Sequence, residues 1–133
     1  MKISFTLDGK DVTVDADPGA RLVDVLHGEL SITSLHPACY NGHCGNCAVL
    51  LSGKLVYSCL LPAFAAEGCF IHSYEGLSRT TAYQDIIRGL EEADARPCDY
   101  CLASKVMIVQ SILESSLNPS LQYIYESFAG TYC

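Results

Sequence analysis

Residues 36–64 read HPACYNGHCGNCAVLLSGKLVYSCLLPAF and hold four of the chain's eight cysteines. Cys39, Cys44 and Cys47 crowd one short loop with the spacing C-x4-C-x2-C, and Cys59 follows after an apolar stretch. Gly42 and Gly45 lie between the thiols. A curl that aims three side chains inward demands positive φ or close backbone approach, where a Cβ would obstruct it.

The flanking sequence supplies a scaffold. Upstream, KISFTLDGKDVTVDA alternates Ile3, Phe5 and Leu7 with polar residues, turns at Asp8-Gly9 and resumes with Val12 and Val14, which predicts a β-hairpin. DPGARLVDVLHGEL then carries Leu22, Val23, Val25 and Leu26 at helical spacing, with Asp17 and Pro18 as its start and Gly28 as its stop. Downstream, CAVLLSG and KLVYSC predict a second hairpin around Ser52-Gly53, and GCFIHSYE a late strand. This order implies an α+β sheet with one helix packed across it. From Thr80 onward the pattern is helical. Leu102, Val106, Val109, Leu113 and Leu117 recur at threes and fours and predict one apolar helix face. We divide the chain into residues 1–76 and an all-helical unit over 77–133.

Half of the 133 residues are apolar and 17% are charged, a composition of folded rather than disordered protein. The formal charge of −7 repels phosphate backbones and disfavours nucleic acid as a partner. MKISFTLDG lacks the continuous apolar region of a signal peptide, and the apolar stretches are too short or interrupted to span a bilayer. No membrane insertion is therefore expected, and a cytoplasmic location follows. There, eight cysteines argue for metal or redox chemistry over disulfides, and pairing within CYNGHCGNC would strain the loop.

The first cysteine set has the spacing of a plant-type 2Fe–2S site. Two ferric ions bridged by two sulfides need four thiolates, three of which one loop can supply only by curling around the cluster. Backbone N–H groups freed by the curl can point at sulfurs and offset their charge. A structural zinc site would favour two separated ligand pairs, and a Rieske centre needs two histidines. His43 fills no gap in the series and is read as a solvent-facing loop residue, as are His27, His36 and His72. A second set comprises Cys98-x2-Cys101 at a helix start and Cys133. A thioredoxin-like pair would have that spacing but also a preceding strand. The distant third cysteine points instead to a cluster one ligand short. Cys69 alternates with Ile71 and is read as core packing. Glu91, Glu92 and Asp94 read as solvated faces. No nucleophile–base pair, paired carboxylates or phosphate-binding loop is visible, so no catalytic residue is assigned.

ADPGARLVDVLHGEL, CYNGHCGNCAVLLSGKLVYSCLLPAFAAEG, SYEGLS, and CDYC followed by a helix and AGTYC cover nearly the whole chain. In this order they resemble the iron–sulfur small subunit of molybdenum hydroxylases of the xanthine dehydrogenase, aldehyde oxidoreductase and carbon monoxide dehydrogenase type. The resemblance implies a β-grasp, plant-type ferredoxin-like domain with one 2Fe–2S cluster on Cys39, Cys44, Cys47 and Cys59. A helical-bundle domain would follow, with a second 2Fe–2S cluster on Cys98, Cys101 and Cys133. Three departures stand out: Pro97 where the family has Gln, Asp99 where it has Gly, and LAS where it has Thr-Pro-Gly. The family's fourth cysteine and the bundle's last helix are not in this sequence. The implied role is electron relay from a molybdenum cofactor to a flavin or external acceptor, with the helical-domain cluster nearest the molybdenum. The implied partners are a molybdopterin-binding large subunit and an FAD-binding subunit, and substrate chemistry would occur on the former. The alternatives are a free-standing 2Fe–2S carrier, or a structural subunit with a degenerate second site.

Overall fold

The computed structural model describes residues 1–37, 39–41 and 44–128. The alternating residues of the N-terminal stretch form β1 (Lys2–Leu7), paired antiparallel with β2 (Lys10–Asp15) so that Ile3 faces Val14 and Phe5 faces Val12. Asp8 and Gly9 sit at φ 50° and 86°, the turn that follows the twist of the strands. Ser52 and Gly53 repeat it at 48° and 86° between β3 (Ala48–Leu51) and β4 (Lys54–Tyr57). β5 (Phe70–His72) runs between the hairpins, parallel to β1 and antiparallel to β3. The result is a five-stranded mixed sheet in the order β2-β1-β5-β3-β4.

The helix across this sheet is shorter than its apolar spacing predicts. α1 (Leu22–Asp24) begins after Arg21 and runs into a π-helical stretch, Val25–Glu29, so Gly28 lies within it and does not end it. Asp17 instead closes a turn, accepting the Gly19 N–H at 2.7 Å. Arg21 is held extended by a bridge to Pro62, and the Leu22 N–H donates to the Leu61 carbonyl at 2.8 Å. That pairing keeps the residues before Leu22 out of the helix. Leu22, Val23, Val25 and Leu26 nevertheless pack with Ile3, Phe5, Val49 and Ile71 as the pattern requires.

Helical structure starts before Thr80. α2 (Tyr74–Leu77) is a single turn capped by the Ser73 hydroxyl, which accepts the Gly76 N–H. The Asp8 carboxylate in turn accepts the Ser73 N–H at 2.8 Å and its hydroxyl at 2.5 Å. A Cβ on Gly76 would run into that carboxylate. α3 (Thr81–Glu92) is capped by Thr80, α4 (Asp99–Ser115) begins after Cys98, and α5 (Leu121–Phe128) follows. Ala48 and Leu50 of β3 pack with Leu77, Ile86, Leu102, Val106 and Met107 in a second core. Because strand side chains alternate, β3 sends Val49 into the first core and its neighbours into the second.

The apolar face of α4 differs from the expected row. Leu102, Val106, Met107, Ile108 and Ile112 are buried, Val109 is half-buried, and Leu113 and Leu117 are exposed. β3 and β4 cover one side of α4 and α3 another, which widens its buried arc and turns it away from Leu113. Among the described residues, no helix is long and apolar enough to cross a membrane.

Candidate metal centre

Strand β3 and the short 3-10 turn after β4 (Ser58–Leu60) hold the two ends of the cysteine region together. Ser58 is fully buried and donates its N–H and its hydroxyl to the Cys47 carbonyl, at 3.1 and 2.7 Å. This clamp sets Cys59 beside Cys47, whose thiol interacts with both the backbone N–H and the side chain of Cys59. On the other side, the Cys39 and Cys44 sulfurs lie 3.5 Å apart. The four thiols thus gather as two pairs.

The backbone curl aims amides at this sulfur. The N–H groups of Asn41 and Cys44 donate to Cys39 Sγ at 3.4 and 3.2 Å, and that of Asn46 to Cys44 Sγ at 3.5 Å. Gly45 takes φ 73°, the left-handed backbone the curl requires. Tyr40 takes φ 56° without being glycine; the Arg21 guanidinium steadies it, donating to its carbonyl at 3.4 Å and lying 5.2 Å from its ring centre. Gly42 and His43 lie outside the described residues.

Cys44, Cys47 and Cys59 are buried, and Cys39 is half-buried. Burial pushes the Cys47 thiol up to about 12; the Cys59 N–H opposes this, and the neighbouring thiols Cys59 and Cys44 add to it. The Tyr57 phenol is raised by burial, then by Cys47 and Cys44. Thiolates crowded this closely repel one another unless a cation neutralises them. A 2Fe–2S cluster asks for that: four thiolates in two pairs, from one side, under amide donors. The residues present fit it. Among the described residues, no three His, Cys, Asp or Glu side chains gather as a site for a single metal ion.

The second cysteine set is placed differently. Cys98 is exposed and precedes α4, while Cys101 is buried on its first turn. The Cys98 carbonyl accepts the N–H groups of Cys101 and Leu102 at 3.1 and 2.9 Å and so begins the helix. Arg96 reaches Asp99 at 3.6 Å and Glu91 at 3.7 Å. Cys133 lies outside the described residues. Cys69 is not core packing: it is half-buried just before β5, and its thiol faces the Ala65 and Glu67 carbonyls at 3.6 and 3.7 Å. Tucked against a turn, it stands apart from both sets.

Two contacts that no sequence period announces join the two regions. His36, expected to face solvent, stacks on Tyr100 between Cys98 and Cys101, with centroids 4.6 Å apart and planes at 17°. Asn46, between Cys44 and Cys47, meets the buried Ser104 hydroxyl of α4 at 3.2 Å. Arg21, Asn46, Ser58 and Ser104 are the site residues that the sequence reading missed; only the adjacency of Asn46 to Cys47 and of Ser58 to Cys59 hinted at any of them.

Residues 5–70 match the family described as the 2Fe-2S iron-sulfur cluster binding domain. The chain is 31% identical over 129 residues to a probable xanthine dehydrogenase subunit of Bacillus subtilis, spanning 97% of this chain and 74% of the relative. It is 27% identical to the "Nicotinate dehydrogenase small FeS subunit" of Eubacterium barkeri, covering all of this chain and 85% of that one. Among solved structures, quinoline 2-oxidoreductase from Pseudomonas putida 86 superposes with a TM-score of 0.86 at 34% identity, over the whole of this chain and 82% of the chain it matches.

Proposed function

The chain belongs to the iron–sulfur small subunits of the molybdenum hydroxylase family, and from this premise we propose that Cys39, Cys44, Cys47 and Cys59 are the ligands of its 2Fe–2S cluster. It is the electron-transfer component of an oxidoreductase complex whose partner chains carry the molybdenum cofactor and FAD. The gathering of the four thiols in two pairs beneath amide donors carries the assignment. When bound, the cluster supplies a one-electron couple that no side chain here has. The protein's own part is placement: Ser58 holds Cys59 to Cys47, Gly45 lets the loop turn, and the amides of Asn41, Cys44 and Asn46 offset sulfur charge.

Cys98, Cys101 and Cys133 are three ligands of a second cluster in this proposal. The helix-starting position of Cys98 and the inward turn of Cys101 support it. With both clusters bound, this site would take electrons from the molybdenum side and the four-cysteine loop would pass them on. The two units divide at residues 76 and 77, and the protein works in the cytoplasm. Exposed apolar side chains support a bound subunit over a free carrier. Tyr40, Leu60 and Phe64 flank the loop cysteines in sequence, and Leu121 and Tyr125 stand out from α5.

Iron and sulfide analysis with EPR after reduction tests the reading. Two irons per site and a rhombic reduced signal are expected. Cys59→Ser should abolish or alter the loop signal; an unchanged spectrum refutes that ligand, and zinc in place of iron refutes the cluster.

A further inference from the structure

Asn46 ties the cysteine loop to α4. Its own N–H is one of the amides aimed at sulfur, 3.5 Å from Cys44 Sγ. That N–H shares a peptide plane with the Gly45 carbonyl, which accepts the Ala48 N–H at 3.2 Å. The Asn46 carbonyl accepts the His36 N–H at 2.9 Å. The Asn46 side chain leaves the loop and meets the Ser104 hydroxyl of α4 at 3.2 Å. Asn46 and Ser104 are 7% and 5% exposed, so their contact is shielded from water. The Ser104 hydroxyl also lies 3.0 Å from the Cys101 carbonyl oxygen, and its single proton cannot serve two acceptors. Turning the Asn46 amide by 180° satisfies both contacts, because its NH2 then donates to Ser104 and Ser104 donates to the Cys101 carbonyl. In either orientation α4 holds the Asn46 side chain at a fixed point.

We propose that Ser104, through the Asn46 side chain, aims the Asn46 N–H at Cys44 Sγ and so raises the reduction potential of the loop cluster, both residues acting by positioning. The proposal rests on the reading of Cys39, Cys44, Cys47 and Cys59 as that cluster's ligands and asks nothing of the cysteines on α4. Reduction adds one electron, whose charge spreads onto the ligand sulfurs. An N–H already directed at such a sulfur favours the reduced form, so the potential rises with the quality of its aim. Gly45 has no Cβ to restrict its rotation, so the direction of the next N–H must be fixed from outside the turn. Ser104 is well placed to fix it. It stands on α4 between Leu102 and Val106, both buried in the core shared with β3. Leaving two buried polar groups half-bonded is costly, which keeps Asn46 and Ser104 together.

The test uses the full chain in its complex. Iron content and EPR of the reduced wild type come first, the loop signal being the one that Cys59→Ser alters. Zinc in place of iron, or no rhombic signal, overturns the cluster reading and this inference with it. With the signal present, its midpoint potential is measured by EPR-monitored redox titration. Ser104→Ala and Asn46→Ala should each lower it, moving the reduced-to-oxidised ratio at a fixed potential several-fold toward oxidised, with iron content retained. The double variant should go no lower than Asn46→Ala, because both changes act through one N–H. Ser104→Thr keeps the hydroxyl and should hold the wild-type potential. Ser111→Ala is the control. Ser111 makes the same bond within α4, donating to the Ile108 carbonyl at 2.7 Å, and its loss should leave the potential unmoved. An unchanged potential in Ser104→Ala overturns the proposal. So does an equal drop in Ser104→Thr or Ser111→Ala, which would assign the effect to helix packing. If Ser104→Ala fails to assemble, Asn46→Ala against Ser104→Thr decides the question on the same terms.

Discussion

Cys44 and Cys47 are buried in a loop, with Cys59 buried beside them on the turn after β4, whereas Cys98 stands exposed before α4 and only Cys101 turns inward. In the first region, backbone holds the geometry: amides donate to sulfur, Gly45 sits at φ 73°, and Ser58 clamps the incoming strand end. In the second, a helix start provides the spacing, and the Cys98 carbonyl begins the helix by accepting the N–H groups of Cys101 and Leu102. A site written into one loop carries its own instructions; a site written as helix spacing depends on what packs beside the helix.

The largest effect should come from breaking the loop site alone. Cys47→Ser removes the most buried of its thiols and should abolish the loop EPR signal, leaving any signal from the α4 set intact. Loss of both signals together would mean that the two regions are assembled as one. Met107→Ala probes the packing between them. Met107 is 1% exposed in the core that β3 shares with α3 and α4, so truncation should cost about 2–5 kcal/mol. A single cooperative unfolding transition at reduced denaturant should follow; two transitions, one unmoved, would show that the sheet unit stands without its helices.

Gly45→Ala is milder. It forces a Cβ into left-handed backbone, at roughly 1–2 kcal/mol, and should lower iron retention at the loop without touching the α4 set. Iron content after mild chelation measures it; equal retention would show that the curl is not held by that residue.

How much of this could be read in advance follows the same division. The loop was legible because C-x4-C-x2-C, its glycines and the turns at Asp8-Gly9 and Ser52-Gly53 are local signals. The beginning of α4 at Cys98-x2-Cys101 was legible for the same reason. What escaped is long-range. The Arg21–Pro62 bridge delays α1, and the Asp8 carboxylate builds α2 by gripping Ser73, 65 residues away. The Ser104–Asn46 contact spans 58 residues. The α4 face was misplaced because spacing records one stripe, while β3 and β4 bury one side of that helix and α3 another.

The smallest expected effect compares two groups that reach the same value by different routes. Cys47 and Tyr74 are both raised to about 12 and both mainly by burial, but Cys47 sits among thiols and Tyr74 against Tyr83, their hydroxyls 2.7 Å apart. Iron would relieve the first; Arg96 opposes the second without undoing it. Because the fold favours the neutral Tyr74 phenol, its contribution is fully present below the ordinary tyrosine value of about 10 and is lost as pH rises from there through about 12. Tyr83→Phe removes the hydrogen bond but leaves the burial, so Tyr74 should titrate lower, still above the ordinary value. At neutral pH the variant should lose about 0.5–1.5 kcal/mol, at the lower end because the pair is only part-buried. Between pH 10 and 12 it should lose less further stability than wild type does, as read from denaturant midpoints across that range. Parallel pH profiles would instead assign the shift to burial alone and leave the tyrosine pair as packing.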